Sequence, residues 1–378
     1  MARPTKLTSC YEIMDLRNLA RRRLPAPIFD FLDGGAETEW TMRRNTSAFD
    51  QVQLLPRCLV DVASVDTRTT VLGQHLAWPV LCSPTGTSRL FHRDGELAVA
   101  RAAAASGALY GLSTGSTYSL EEVAGASSGP KLFQLYVYKD REITHELIDR
   151  CKRADYAALC LTVDVPVIGK RERDLRSGFS LSPQWTLASI LSFAAHPAWV
   201  AGRMRKGAIT MANFAGRGER TWSIDHLDTS ITWKDVRDII DRWGRPFALK
   251  GVMTVEDARR AADIGVHAII VSNHGGRQLD GAAAPVEVLK QIADAVGDRI
   301  EIILESGIRR GVHVLKALAL GAKACAIGRP YLYGLSAGGE AGVAKALSIL
   351  RDELTTSMKL AGCTDVKRVD PSLVRVAA

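Results

Sequence analysis

No two cysteines in this chain stand at the two-residue spacing of a zinc knuckle or a redox dithiol. The seven present, Cys10, Cys58, Cys82, Cys151, Cys160, Cys325 and Cys363, are odd in number. Cys82, Cys160 and Cys325 lie inside apolar runs, where cysteine serves as a small hydrophobe. Neither a metal site nor a disulfide framework is expected, and a reducing, cytoplasmic setting fits this usage. No stretch reaches the roughly 18 consecutive apolar residues of a spanning helix. The opening residues Met1 to Cys10 lack the apolar centre of a signal peptide. No basic stripe is interleaved with aromatics, which places nucleic acid last among partners. Also missing are a serine nucleophile elbow and a carboxylate pair set for glycoside hydrolysis.

What is there is apolar mass and positive charge. Hydrophobic residues make up 47% of 378, and only 24% are charged, so a large core and an ordered chain are expected. The net charge of +8 attracts anions: a phosphate cofactor, a carboxylate substrate or an anionic membrane surface.

The dominant pattern is a series of short apolar runs, each followed by a helical one. The runs are Trp78–Cys82, Ala108–Leu112, Leu132–Val137, Ala157–Val163, Phe247–Leu249, Ala268–Val271, Ile300–Leu304 and Ala324–Ile327. Helical segments between them include Gly95–Ser106, Ile143–Lys152, Val255–Ile264, Pro285–Val296 and Gly311–Leu320. Fully apolar strands alternating with helices mean a parallel sheet covered by helices. Eight units favour an α/β fold closed as a (β/α)8 TIM barrel. The rival, an open doubly wound sheet, would be supported by a G-x-G-x-x-G after the first strand, and none is there. One domain is expected over 1–378. Residues 1–77 form an N-terminal extension, with helices over Leu7–Leu24 and Ile28–Trp40 (the second ending in a glycine turn). Residues 78–335 form the barrel, and 336–378 a C-terminal helix and tail. A long insertion, 171–232, follows the fourth strand. In it Trp185–Ala201 is apolar but broken by His196-Pro197, and Arg203, Arg205 and Lys206 follow. The insertion reads equally as a lid over its own barrel or as a membrane-interface contact.

Polar residues and glycines gather at the C-terminal ends of the runs, which in a barrel converge on one catalytic face. The loops after the seventh and eighth strands, Ser306-Gly-Ile-Arg-Arg-Gly311 and Gly328-Arg329, suit a phosphate: glycines admit backbone N–H groups and arginine gives bidentate contacts. Lys250 closes the fifth strand and needs a negative partner. His274 closes the sixth, three residues before Arg277. Arg277, with Arg171 as a second clamp, could grip a carboxylate while His274 takes a proton. Asp164, ending the fourth strand, would orient that imidazole and stabilise its charged form. A carboxylate anchor, a base and an electron acceptor are what oxidation of a 2-hydroxy acid needs.

On these residues the chain resembles the FMN-dependent L-2-hydroxy acid oxidases and dehydrogenases. The most specific motif is Ser272-Asn-His-Gly-Gly-Arg-Gln-Leu-Asp280, joined by Phe133-Gln-Leu-Tyr136, Leu161-Thr-Val-Asp164 with Arg171, Leu249-Lys-Gly251 and Ser306-Gly-Ile-Arg309. The resemblance runs from Tyr11 to about Val374. It implies FMN as cofactor, His274 as base with Asp164 beside it, and Arg171 and Arg277 on the substrate carboxylate. It implies Tyr136 on the substrate oxygen and Lys250 by the flavin. Ser113, Gln134, Thr162, Ser272 and the backbone of Thr85-Gly86 would line the isoalloxazine. Arg309, Gly328 and Arg329, with Gly307 in the same loop, would hold the phosphate.

Three positions depart from the pattern. Phe31 stands where relatives usually carry a tyrosine that contacts the carboxylate. Glu305 replaces an aspartate facing the ribityl chain, an extra methylene expected to be absorbed locally. Gly115 replaces a bulky tryptophan and leaves room for a lactate-like or larger side chain, aromatic ones included. Gly86 is similar to the dehydrogenase members, which implies a quinone or other acceptor. The insertion is similar to membrane-associated lactate dehydrogenases, which implies a peripheral protein on the inner face of the cell membrane. Relatives are often tetramers, which implies a homo-oligomer. An oxygen-using oxidase and an FMN barrel with non-redox, isomerase-like activity stay open as alternatives.

Overall fold

The computed structural model describes residues 5–179, 186–205, 209–215 and 226–377. All eight apolar runs are strands: Val80–Thr85, Leu109–Ser113, Lys131–Leu135, Ala158–Thr162, Phe247–Val252, Ala268–Val271, Glu301–Glu305 and Ala324–Ile327. Each runs parallel to the next, and the eighth pairs with the first through Cys325 and Val80, closing a TIM barrel. Strands buried on both faces need no polar alternation. Their side chains still alternate in direction. Leu81, Leu109, Leu132, Cys160, Ile270 and Ile303 fill the barrel interior, while the intervening residues pack under the helices. Cys82, Cys160 and Cys325 are buried within strands, as small apolar residues would be.

Several strands run past the apolar residues that announce them. The first continues to Thr85 and the fifth through Lys250 and Gly251 to Val252, each with a register shift. The hydrogen-bonded ladder does not stop where the side chains turn polar; polarity marks the barrel mouth instead.

The helices follow their caps. Asp140 accepts from the Glu142 N–H at the start of Arg141–Arg153, and Thr254 does the same for Asp257 in Val255–Asp263. The expected single helix over Leu7–Leu24 is instead a 3-10 turn, Leu7–Ser9, and a helix, Ile13–Arg23. The Asp15 carboxylate accepts from the Tyr11 and Glu12 N–H groups and restarts the helix there. The second segment, Ala26–Asp33, ends at Gly34, and a further helix, Trp40–Ser47, was not anticipated. Unanticipated too are two small antiparallel pairs. Val52–Leu54 joins Val374–Val376, and the hairpin Thr69–Val71/Gln74–Leu76 places Val71, Leu72 and Leu76 against the barrel interior. Its turn uses left-handed Leu72 (φ 50) and Gly73 (φ 74).

The helix after the eighth strand, Arg329–Leu360, kinks at Gly338 and Gly339. In the insertion, Leu187–Ala194 and Pro197–Arg205 are separate helices meeting at His196-Pro197. The Trp199 indole N–H donates to the Leu90 carbonyl at 2.9 Å, tying the second helix to the barrel. Trp185 and Lys206 lie outside the described residues, as does the side chain of Arg203. Among the described residues no helix is long and apolar enough to cross a membrane.

Candidate active site

At the C-terminal ends of the strands lies a cavity of about 590 Å³. Its floor is polar. Ser113 Oγ donates to Gln134 Oε1 at 3.0 Å. Gln134 Nε2 and, one strand further, Thr162 Oγ1 are buried with no hydrogen-bond partner among the described residues. A buried amide N–H left unmet is costly, so these atoms are suited to hydrogen-bond a bound group. The Thr85 hydroxyl is engaged by Tyr331 Oη at 2.6 Å, leaving the Thr85-Gly86 backbone to the cavity. A Cβ on Gly86 would lie 2.9 Å from the Gly115 carbonyl oxygen.

Lys250 is buried and its ammonium binds Ser272 Oγ at 3.1 Å and the Glu305 carboxylate. Burial alone would push the Glu305 carboxyl up; Lys250 and Ser272 outweigh it and hold the group below its ordinary value. Glu305 therefore uses its extra reach to neutralise Lys250, a partnership the sequence does not announce.

His274 sits in the left-handed region (φ 57), followed by left-handed Gly275 and Gly276. A β-carbon-bearing residue held there is strained, and the turn aims the imidazole across the mouth. Its Nδ1 meets Asp164 Oδ1 at 3.0 Å, while its backbone N–H donates to Ser272 Oγ. Burial opposes ionisation of Asp164, but His274 and Lys250 together lower its pKa. Gly251 permits this closeness: a Cβ there would lie 2.6 Å from the Asp164 Cβ.

Four arginines close the rim. Arg277 donates to the carbonyls of Phe31 (2.8 Å) and Gly34 (2.9 Å), and its guanidinium lies 5.1 Å from the Phe31 ring centre. Arg329 donates to Gly275 and Gly34 carbonyls, and Arg309 to that of Ile308. Arg171 lines the cavity with its Nε unpartnered among the described residues. Burial, then Arg171 and Arg329, push the Arg277 pKa well below the ordinary arginine value. Such crowding of cations is stable only around anions. The backbone carbonyls orient Arg277 and Arg329 without discharging them.

The structure thus brings Phe31, Thr85, Gly86, Ser113, Gly115, Tyr136, Arg171, Lys250, His274, Arg277, Glu305, Gly307, Arg309, Gly328 and Arg329 to one cavity wall. Gln134, Thr162, Asp164 and Ser272 stand directly behind it. Burial pushes the Tyr136 phenol up, keeping it a hydrogen-bond donor. Sequence reasoning missed Asp174, which also lines the cavity and faces Arg277 and Arg171. Its only signal was its place three residues after Arg171. Missed too was an apolar wall of Leu90, Phe91, Phe179, Met211 and Leu332. Phe31 stacks on Phe179 at 4.4 Å and faces Phe91 at 6.2 Å.

A protein-family model described as FMN-dependent dehydrogenase matches residues 20–376. The chain is 42% identical to an L-lactate oxidase of Nostoc sp., covering 98% of this chain and 100% of the relative. It is 40% identical to glycolate oxidase 3 of Arabidopsis thaliana, covering 96% and 95%. Among solved structures it is similar to a monotopic membrane protein, (S)-mandelate dehydrogenase, with TM-score 0.93, 37% identity and coverage of 97% and 100%. A mandelate oxidase is similar at TM-score 0.85 and 39% identity, covering 98% and 100%.

Proposed function

Because this chain belongs to the FMN-dependent dehydrogenase family and is an oxidoreductase acting on 2-hydroxy acids, we propose that it oxidises an L-2-hydroxy acid with a lactate-like or larger, best an aromatic, side chain, and passes the electrons to a quinone. One observation carries the side-chain reading. The wall beside Arg277 is apolar and aromatic (Phe31, Phe91, Phe179), and Gly115, with no side chain, lines the same cavity. A ring buried there gains about 1.5–3 kcal/mol from apolar transfer; glycolate, with no side chain, gains none of it.

The residues present fit FMN. The unmet Gln134 Nε2 and Thr162 Oγ1 await the polar edge of a ring system, with Ser113, Ser272, Lys250 and the Thr85-Gly86 backbone around them. Glu305, which also neutralises Lys250, would lie toward the ribityl chain. Arg309 and Arg329, beside Gly307 and Gly328, would hold the phosphate. When bound, FMN supplies the two-electron acceptor for the oxidation.

The chain's own residues do the rest. Arg171 and Arg277 bind the substrate carboxylate. Tyr136, kept protonated by burial, donates to the substrate oxygen. His274 takes the proton on its free nitrogen. Asp164 accepts the Nδ1–H, so the imidazole presents the correct nitrogen, and its charge offsets the imidazolium that forms.

Gly86 supports the quinone reading, and so does the surface. Leu187, Ile190, Leu191 and Met204 of the insertion helices are exposed, a face suited to the inner surface of a membrane, where quinones reside. A homo-oligomer, most simply a tetramer, completes the reading, and light scattering checks it.

The test is anaerobic mixing of the yellow protein with glycolate, L-lactate, longer aliphatic acids and L-mandelate, following flavin absorbance, then admitting oxygen or a quinone. Fastest bleaching by mandelate, with reoxidation fast by quinone and slow by oxygen, is expected. Fast reoxidation by oxygen makes the protein an oxidase. No bleaching by any acid, with flavin bound, overturns the reading in favour of a non-redox barrel.

A further inference from the structure

Ser306, the residue after the seventh strand, has a φ of 90. That conformation suits glycine and is strained for a residue with a β-carbon. Ser306 is also buried and lines the active-site cavity. Strain retained at such a place points to something the side chain does in return. Its Oγ accepts from the Gly275 N–H at 3.0 Å, and Gly275 is the residue that follows His274.

His274 lies between two planar peptide groups, and the tilt of those planes is what its φ and ψ measure. The peptide before it is held because the His274 N–H donates to Ser272 Oγ at 3.0 Å. The peptide after it is held because the Gly275 N–H donates to Ser306 Oγ. Two serine hydroxyls, from the ends of neighbouring strands, therefore fix the backbone from which the imidazole projects. Ser272 is itself anchored by Lys250 and Glu305. The turn beyond His274 has little stiffness of its own. Gly275 (φ 69) and Gly276 (φ 71) carry no side chains to resist rotation. The Gly275 carbonyl accepts from Arg329 at 2.8 Å, so both polar groups of Gly275 are gripped by residues that follow the seventh and eighth strands. Asp164 restrains the ring through Nδ1, but it does not set the backbone.

We propose that Ser306 is a positioning residue for His274: its hydroxyl holds the peptide after the base and so fixes where the free imidazole nitrogen meets the substrate. The role rests on the reading of His274 as the base. The strain at Ser306 is the cost of placing a hydroxyl where a glycine would fit better.

The test separates the hydroxyl from the strain in the FMN-loaded protein. Ser306→Gly and Ser306→Ala both remove the hydroxyl, and only alanine keeps a β-carbon at this φ, so S306G should melt above S306A. The rate should follow the hydroxyl instead. At saturating hydroxy acid, anaerobic flavin reduction should be about ten- to a hundredfold slower than the parent's in both variants, the scale of a misplacement of up to about 1 Å. The acid concentration at half-maximal rate should stay within about twofold, because Arg171 and Arg277 still hold the carboxylate. Titration of the oxidised flavin spectrum with the 2-oxo acid, a readout free of turnover, should give a parent-like Kd. S306G/H274A should be no slower than H274A, since no imidazole remains to be aimed. S306G decides if S306A fails to fold. Reduction of S306G at the parent's rate overturns the inference, as does a slowing that persists on top of H274A. Loss of FMN from S306G overturns it too, making Ser306 a part of the cofactor seat alone. A parent that no hydroxy acid bleaches overturns the reading of His274 as the base, and this role with it, before either variant is compared.

Discussion

Replacing Asp164 by Asn tests the His274–Asp164 pair at its weakest assumption, that the carboxylate acts through its charge. The substitution keeps the size and a hydrogen-bonding oxygen and removes only the charge. At the observed 3.0 Å, with an effective dielectric of 20, an imidazolium and a carboxylate attract by about 5.5 kcal/mol. If about half of that charge has developed in the transition state, about 2.8 kcal/mol is lost, or roughly a hundredfold in rate. That is a floor, since an amide NH₂ turned toward Nδ1 would also favour the wrong tautomer. Anaerobic stopped-flow reduction of the flavin by the best hydroxy acid is the assay. His274→Ala should slow reduction by about 10²–10⁴-fold, the range for a lost general base. The double variant D164N/H274A should be no slower than H274A alone, because Asp164 has nothing left to act on. A D164N rate close to the parent's, or full additivity in the double variant, would refute the pair.

Three further outcomes are expected. Asp33 is buried between Arg17 (2.6 Å), Arg173 (3.0 Å) and Tyr333 (2.7 Å); burial raises its pKa, but these partners hold it well below the usual carboxylate value. Its stabilisation is therefore present above about pH 4 and is lost as pH falls toward its lowered folded-state value. D33N should cost about 3–5 kcal/mol, or about 4–6 °C in melting temperature for a chain this long, with the gap to the parent closing below about pH 4; a gap independent of pH contradicts the charge argument. Phe31→Tyr should lower the KM for the hydroxy acid about tenfold with kcat little changed, the worth of one charge-assisted hydrogen bond; an unchanged or higher KM shows that the hydroxyl does not reach the carboxylate. Gly307→Ala should abolish FMN retention, since its Cβ would sit 1.8 Å from the Asn45 carbonyl oxygen at a φ of 80; a variant purified with full flavin would show that the turn can yield.

The chemistry of this protein was easier to read from sequence than its supports. His274, Lys250 and Asp164 stand at the ends of apolar runs, so the strand pattern that predicts the barrel also predicts their convergence. The cavity's apolar wall was hidden, because Phe91 and Phe179 come from loops with no periodicity of their own. Asp174 was hidden for the same reason: only the fold turns a short helix so that it faces Arg277. The small sheets were illegible since strands of three residues carry no usable alternation, and Val52–Leu54 finds its partner at the opposite end of the chain. The split at Cys10–Glu12 turned on one carboxylate outcompeting a continuous helical pattern. Gly307 announced itself as a turn glycine, but the backbone it must clear, at Asn45, is visible only in three dimensions.

The hairpin beneath the barrel bears on the order of events in turnover. With Val71, Leu72 and Leu76 stoppering one end, and the Leu72 N–H bonded to Glu301 at 2.7 Å, the described residues leave the cavity at the other end as the way in for acid and acceptor alike. With one shared way in, the oxo acid is expected to depart before the electrons are collected, which predicts parallel lines in double-reciprocal plots and inhibition by excess hydroxy acid re-entering ahead of the acceptor. Intersecting lines would mean that the acceptor reaches the electrons by another route.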